Sequence, residues 1–103
     1  MCRVHNKHHA TAPASAIFIG RPSKWGNPFQ IGKHGDRATV IARYALWLAR
    51  NDELFAALGE LRGKDLICYC APQACHGDLL LMLANSTIEE RRAWRTRTLA
   101  LAA

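Results

Sequence analysis

The sequence contains no long hydrophobic segment. Its longest apolar run, residues 79–84, is far shorter than the roughly 20 apolar residues that a membrane-spanning helix needs. The first nine residues have no apolar core of the kind that a secretory signal carries. We therefore expect no membrane partner and a cytoplasmic location.

Acidic residues are also scarce. The chain has 8 Asp and Glu residues against 14 Lys and Arg residues, which gives a formal net charge of +6. A basic surface favours anionic partners, and a nucleotide or nucleic acid partner is therefore expected. A basic protein without a specific anion has the same charge, so the identity of the partner must come from individual residues.

Cysteine is present four times, but nothing in the sequence indicates export. Cytosolic thiols stay reduced, so two disulfides are not expected. Three of the cysteines lie within eight residues beside His76. This clustering favours thiols that are used for chemistry or for metal binding. The 103 residues suffice for one domain, and half of them are hydrophobic, so a core can form without metal or disulfide staples.

The distribution of apolar and helix-breaking residues predicts a small α/β fold. Apolar residues with a β-branched bias predict buried strands at 16–20 and 66–70, and a short first strand is expected at 2–5. Repeated proline and glycine residues make 21–35 a long loop. Asp36 is a suitable cap for the helix that follows. Helices are expected to begin near residues 37, 52, 75 and 86.

This order of elements predicts one α/β domain over residues 1–103, with a small, mostly parallel sheet flanked by helices and an additional C-terminal helix. A strand–helix–strand unit pairs its strands in parallel through a right-handed crossover. The motif-bearing core is expected at 16–84 and a basic helix at 86–103. Ligands bind such sheets beyond the carboxyl ends of the strands. We therefore expect the loops after Gly20 and Cys70 to open onto the same edge.

The loop after Gly20 supplies candidate ligand contacts. Arg21 is suited to grip a phosphate with two hydrogen bonds, and Lys24 adds a point charge. Trp25 either stacks on a base or fills the core beneath the loop. Asn27 is held extended by the proline that follows, and its amide can read a polar edge. The predicted ligand-binding residues of this loop are Arg21, Lys24, Trp25 and Asn27.

Segment 68–78 contains the densest group of reactive side chains, and three interpretations are open. In the first, zinc is bound by Cys68, Cys70, Cys75 and His76, although the spacing is not the usual pair of separated knuckles. In the second, Cys70 or Cys75 is a thiolate nucleophile and His76 is its base or acid. In the third, the cysteines pack in the core and the helix N-terminus binds an anion, with polar contacts from His76 and Asp78. Asp78 either stabilises its own helix or acts as a general base, and Cys70 is also a candidate ligand contact.

Two motifs resemble those of a known family. Residues 25–29 fit W-G-N-P-[FY], and residues 68–78 fit C-x-C-x-P-x-x-C-H-G-[DE]. Together they resemble a small domain of unknown function found in bacteria and phages, over residues 16–84. The resemblance implies no established reaction, and the family's N-terminal strand is replaced here by a His-rich and Ala-rich stretch. The signature positions that it implies are Trp25, Gly26, Asn27, Pro28, Cys70, Cys75, His76, Gly77 and Asp78.

The leading hypothesis is a small enzyme or binder of a phosphorylated nucleotide or nucleoside-like ligand. Arg21 and Lys24 would contact phosphate, and glycosidic or phosphate-ester cleavage suits the acid–base candidates best. The candidate catalytic residues are Cys75, His76 and Asp78. The alternative is a non-enzymatic nucleic-acid-binding module, in which a zinc site holds the fold and the arginines of the last helix contact the backbone.

Overall fold

A computed structural model of the chain describes residues 2–7, 12–69, 73 and 75–102. Within these ranges the chain forms a three-stranded sheet and four α-helices. The strands are β1 (Val4–Asn6), β2 (Ile17–Phe18) and β3 (Leu66–Cys68). The helices are α1 (Arg37–Arg50), α2 (Asp52–Ala56), α3 (His76–Ala84) and α4 (Ile88–Ala102), with a 3-10 helix at Ala57–Leu61 after α2.

The sheet is parallel, and β3 lies between β1 and β2. Leu66 of β3 is in register with Val4 of β1 on one side and with Ile17 of β2 on the other. All three strands therefore end at the same edge of the sheet. This architecture confirms the predicted α/β class with a parallel sheet and flanking helices. The first strand also forms, at Val4–Asn6 rather than at 2–5.

Helix starts follow the capping residues of the sequence. The Asp36 carboxylate accepts a hydrogen bond from the Thr39 backbone N–H at 2.8 Å, and α1 begins at the next residue. Asn51 accepts in the same way from the Leu54 N–H at 3.1 Å and separates α1 from α2. The strands are shorter than the apolar runs predict. β2 has two residues and β3 has three.

The core lies between the sheet and the helices α1 and α3. Its fully buried side chains include Ile19 at the end of β2, Tyr44 of α1 and Leu80 of α3. The Tyr44 hydroxyl donates a hydrogen bond to the Trp25 carbonyl oxygen at 2.8 Å, within the core. Burial raises the pKa of Tyr44 well above its ordinary value, so this hydroxyl stays a donor. The contact fixes the 21–35 loop onto α1.

Helix α4 packs against α1 and has no fully buried residue. Arg91 donates to the carbonyl oxygens of Leu83 and Ala84, both at 2.7 Å, at the end of α3. Arg95 donates to the Ala49 carbonyl at 2.7 Å, at the end of α1, and also pairs with an aspartate of α2. Two arginines of α4 thus donate to carbonyl oxygens in the last turns of α3 and α1.

In the part of the chain that the structure describes, no helix combines the length and apolar character needed to cross a bilayer.

Candidate functional site

A cleft of about 370 Å³ lies at the carboxyl edge of the sheet. It is bounded by the loop after β2, the first turns of α1, the end of β3 and the start of α3. We call it the edge cleft. The described residues that line it are Gly20, Arg21, Asn27, Phe29, Gln30, Ile31, Arg37, Val40, Ile41, Cys68, Tyr69, Cys75 and His76. The two loops that the sequence singles out therefore meet in one cavity, and Arg21 and His76 both line it.

Arg21 is held at the cleft by the backbone of its own loop. Its side chain is exposed, and the loop folds back so that Gly26 sits directly against it. A Cβ added at Gly26 would lie 2.9 Å from the Arg21 Cγ and 3.0 Å from the Arg21 Cα. Only glycine permits this approach without displacement, so Gly26 of the W-G-N-P motif shapes the wall that carries Arg21.

Arg37 supplies a second guanidinium that the sequence analysis missed. It is the first residue of α1, and it donates to the Gln73 amide oxygen at 2.8 Å. Among the described lining residues, Arg21 and Arg37 are the only ones with a formal charge at neutral pH if His76 is neutral. The edge cleft is therefore electropositive, which favours an anionic ligand. The sequence signal was the position of Arg37, immediately after the Asp36 cap at the end of the long loop.

Asn27 lines the cleft while holding the loop in shape. Its Nδ2 donates to the Val40 carbonyl at 3.1 Å, and its Oδ1 accepts from the Phe29 N–H at 2.9 Å. The side chain thereby joins the loop to α1 and forms an Asx turn across Pro28. Each end of the amide thus already has one protein partner.

Several apolar side chains that line the cleft are partly exposed. Ile31 and Tyr69 are each about half exposed. The Tyr69 ring meets the Phe18 ring edge-on, with centroids 5.7 Å apart. Phe29 of the loop also lines the cleft. A half-exposed aromatic ring that lines the same cavity as two cations suits a ligand that has a planar ring and a negative charge. Tyr69 was missed because it stands between two cysteines that dominate the motif.

His76 is buried at the start of α3 and is bonded across the sheet edge. Its Nε2 lies 2.9 Å from the Ile19 carbonyl oxygen. Since a carbonyl only accepts, Nε2 carries the proton and donates it. The imidazole also packs on the Tyr44 ring, with centroids 4.7 Å apart. His76 therefore both links α3 to the residue after β2 by a hydrogen bond and lines the cleft.

The pKa of His76 is lowered from its ordinary value of 6.5, chiefly because burial disfavours the charged imidazolium. The positive charge of Arg21 lowers it further. The carbonyls of Ile19 and Trp25 and the carboxylate of Asp78 oppose this shift and do not cancel it. His76 is therefore neutral at pH 7, with Nε2 engaged.

Cys68 and Cys75 bring their sulfur atoms to 3.2 Å from each other, both buried and both on the edge cleft. Cys75 is the N-cap of α3, and its Sγ accepts from the Gly77 N–H at 3.3 Å. Cys70, a candidate in all the cysteine interpretations, lies outside the described residues. Within the described ranges, no three His, Cys, Asp or Glu residues form a group that could hold a metal ion.

Gly77 allows α3 to approach the sheet. A Cβ at this position would lie 2.7 Å from Ile19 Cδ1 and 3.2 Å from Val4 Cγ2. In the consecutive residues Cys-His-Gly, the sulfur caps α3, the imidazole bonds the Ile19 carbonyl, and the glycine allows close packing of α3 on the sheet.

Three of the predicted site residues lie away from the cleft lining. Lys24 pairs with Glu60, with Nζ and Oε1 at 2.8 Å. Trp25 is 3% exposed and belongs to the core, so stacking on a ligand would require it to leave that core. Asp78 accepts from the Cys75 N–H at 3.2 Å and completes the capping box of α3. These contacts correspond to the structural alternatives for Trp25 and Asp78.

The fold and the cleft define a small α/β domain with an electropositive cavity at the carboxyl edge of a parallel sheet. The chain belongs to the family described as "Domain of unknown function (DUF4326)", which matches residues 2–86. The match includes β1, which the sequence resemblance over 16–84 had left out. The chain is also similar to the "Uncharacterized 12.4 kDa protein in nrdA-td intergenic region" of Enterobacteria phage T4. The two are 33% identical over 95 residues, covering 87% of this chain and 83% of the phage protein. No solved structure matches the chain.

Proposed function

We propose that the edge cleft binds a phosphorylated nucleotide or a nucleoside-like anion. The observation that carries this proposal is the composition of the cleft wall, where two arginines line the same cavity as a set of aromatic and aliphatic side chains. A volume of about 370 Å³ is within the range of small-molecule sites, which is roughly 300–1,000 Å³.

In this proposal Arg21 contacts the phosphate. Its side chain is exposed at the cleft, and no described acidic residue lines the same cavity to neutralise it. A guanidinium offers a planar pair of donors that matches two phosphate oxygens. Arg37 adds a second positive charge from the opposite loop end.

The base or a comparable ring would lie against the apolar side chains that line the cleft. Tyr69 is half exposed and already has an edge contact with Phe18, so its orientation is set before a ligand arrives. Preorganisation of this kind lowers the entropic cost of binding. Asn27 can add polar contacts only through its remaining hydrogen-bonding capacity.

Binding has more support than cleavage among the described residues. Asp78 is engaged as the capping residue of α3, and His76 is neutral with its Nε2 proton donated to a backbone carbonyl. General acid–base chemistry would require these groups to exchange partners first. Of the two cysteines predicted as nucleophiles, Cys70 and Cys75, the second lines the cleft.

The nucleic-acid-binding alternative has less support. It needs the arginines of α4 for backbone contacts, but Arg91 and Arg95 use their guanidinium groups to bond carbonyls at the ends of α3 and α1. Arg92 and Arg97 remain exposed. We include a cytoplasmic location in the proposal, because reduced cysteines are the rule there.

Calorimetric titration with ribonucleoside 5′-monophosphates, the matching nucleosides and inorganic phosphate tests the proposal. We expect saturable binding of at least one monophosphate. Arg21→Ala should weaken it by about 10- to 100-fold, because a hydrogen-bonded charge contributes roughly 1.5–3 kcal/mol. Lys24→Ala is the matched control, since Lys24 is a cation of the same loop that lies outside the cleft lining.

Circular dichroism should show that both variants keep the native fold. The proposal fails if no monophosphate saturates the protein, or if Arg21→Ala and Lys24→Ala weaken binding equally. Equal weakening would show that net charge alone attracts the ligand. Nucleosides and phosphate, tested separately, show which half of the ligand the cleft recognises.

A further inference from the structure

Cys68 and Cys75 form a close pair of buried sulfur atoms that the proposed binding function does not use. The atoms lie 3.2 Å apart. A disulfide has a sulfur–sulfur distance of about 2.05 Å, so the two sulfurs are not bonded to each other, and closing the gap takes a movement of about 1 Å. We propose that Cys68 and Cys75 form a reversible redox pair that exchanges with a small anionic disulfide of the glutathione class.

Cys75 is the attacking thiol in this proposal. It caps α3, and the Gly77 N–H donates to its Sγ at 3.3 Å. A donated N–H at a helix N-terminus stabilises the negative charge of a thiolate, which is the reactive form. Cys68 lies at the end of the central strand β3, with its sulfur 3.2 Å from that of Cys75, and is therefore placed to attack second.

The reaction has two balanced steps. In the first, the Cys75 thiolate attacks one sulfur of the small disulfide, a mixed disulfide forms, and one small thiolate leaves and takes up a proton. In the second, the deprotonated sulfur of Cys68 attacks Cys75, and the second small thiol leaves. The protein loses two protons and two electrons, and the small disulfide gains them.

Access to the pair is through the edge cleft. Both cysteines line it, yet they are only 2% and 4% exposed, which favours a small reagent over a protein partner. Arg21 and Arg37 line the same cavity and attract the carboxylates of an anionic disulfide. Oxidation of this pair does not depend on nucleotide binding, because the experiment measures the oxidation state of Cys68 and Cys75 directly.

The experiment equilibrates the full-length protein with reduced and oxidised glutathione under native conditions, followed by alkylation and peptide mass spectrometry. The native chain and a Cys2→Ser control should each lose two thiols, with the link mapped between residues 68 and 75. Reduced glutathione in excess should restore both thiols. A Cys70→Ser variant should give the same link.

Two serine variants test the order of attack. Cys68→Ser should accumulate one glutathionyl group on Cys75, because the second step is blocked. Cys75→Ser should lose the internal link and leave Cys68 without the adduct. Circular dichroism checks that each variant is folded, and serine is close to cysteine in size.

Several outcomes would overturn the proposal. One is a link that maps to Cys70 instead of the 68–75 pair. Another is oxidation that occurs only after denaturation. Stoichiometric zinc in the purified protein that protects both thiols from glutathione disulfide would also overturn it, and would instead support the metal interpretation of these cysteines.

Discussion

His76 donates a hydrogen bond to the carbonyl oxygen of Ile19, 57 positions earlier in the chain, with the two atoms 2.9 Å apart. The bond connects the first residue of α3 with the residue that follows β2. It therefore fixes the distance between the two loops that enclose the edge cleft. His76 of the C-H-G motif therefore has a structural role that does not depend on what the cleft binds.

Replacement of His76 should destabilise the fold. In His76→Ala, the Ile19 carbonyl loses its buried donor and the Tyr44 ring loses a packing partner. We expect the free energy of unfolding to fall by about 2–3 kcal/mol, since an unsatisfied buried group costs roughly 1–3 kcal/mol and truncation adds to this. Urea denaturation at pH 7.5 measures the change.

The same residue should make stability depend on pH. The pKa of His76 is lower in the folded chain than its ordinary value of 6.5, so the unfolded chain binds the proton more readily. The stabilisation is complete above 6.5 and is lost as the pH falls through 6.5 towards the folded pKa. His76→Gln should show a smaller decline in urea midpoint between about pH 7.5 and pH 5. An equal decline in both proteins would contradict this assignment.

Gly77→Ala should destabilise the protein although alanine is the better helix former. The new Cβ would lie 2.7 Å from Ile19 Cδ1, and overpacking of a core contact costs typically 1–3 kcal/mol. Gly59→Ala is the matched control, because no atom lies within 4 Å of a Cβ there. Thermal unfolding compares the two, and a similar melting temperature for both variants would refute the close-contact argument.

Arg91→Ala should lower stability through the C-terminus of α3. The guanidinium makes two 2.7 Å hydrogen bonds to the carbonyls of Leu83 and Ala84, and both would be lost. We expect a loss of about 1–2 kcal/mol in urea denaturation. Arg92→Ala, an exposed neighbour of equal charge, should change stability by less than about 0.5 kcal/mol. Equal losses would indicate that net charge, and not capping, explains the effect.

Asp65→Asn should weaken the pairing of β1 with β3 in a pH-dependent way. The Asp65 carboxylate lies 2.6 Å from the His5 Nε2, and this contact chiefly lowers the pKa of Asp65 below its ordinary value of 3.8. A lowered pKa gives stability that is present above 3.8 and is lost as the pH falls through the folded pKa. The variant should be less stable than the native chain at pH 6, and the difference should shrink at about pH 2. A difference that is constant with pH would contradict the ionic contribution.

Much of the fold was predictable because local signals agreed with it. Asp36 and Asn51 cap helices at the expected positions, and the apolar run at 66–70 contains the central strand. The parallel topology followed from the strand–helix–strand order. Because parallel strands end at the same edge of the sheet, the loops that carry Arg21 and His76 meet in one cavity.

The rest depended on tertiary contacts that a linear pattern does not contain. Trp25 could equally stack on a ligand or fill the core, and the hydrogen bond from Tyr44 to its carbonyl belongs to the second arrangement. The role of Arg91 required knowing that α4 passes the end of α3. Arg37 lines the cleft because the first turns of α1 border it, which the linear pattern does not indicate.

The middle position of β3 has a consequence for synthesis on the ribosome. The two outer strands emerge first and have no partner in each other, since residues 66–68 are the shared neighbour of both. Until residues 66–68 leave the exit tunnel, β1 and β2 have no strand to pair with, and no sheet can form. Assembly must then close separations of about 60 and 50 residues together, which predicts slow, late and highly cooperative folding for so short a chain.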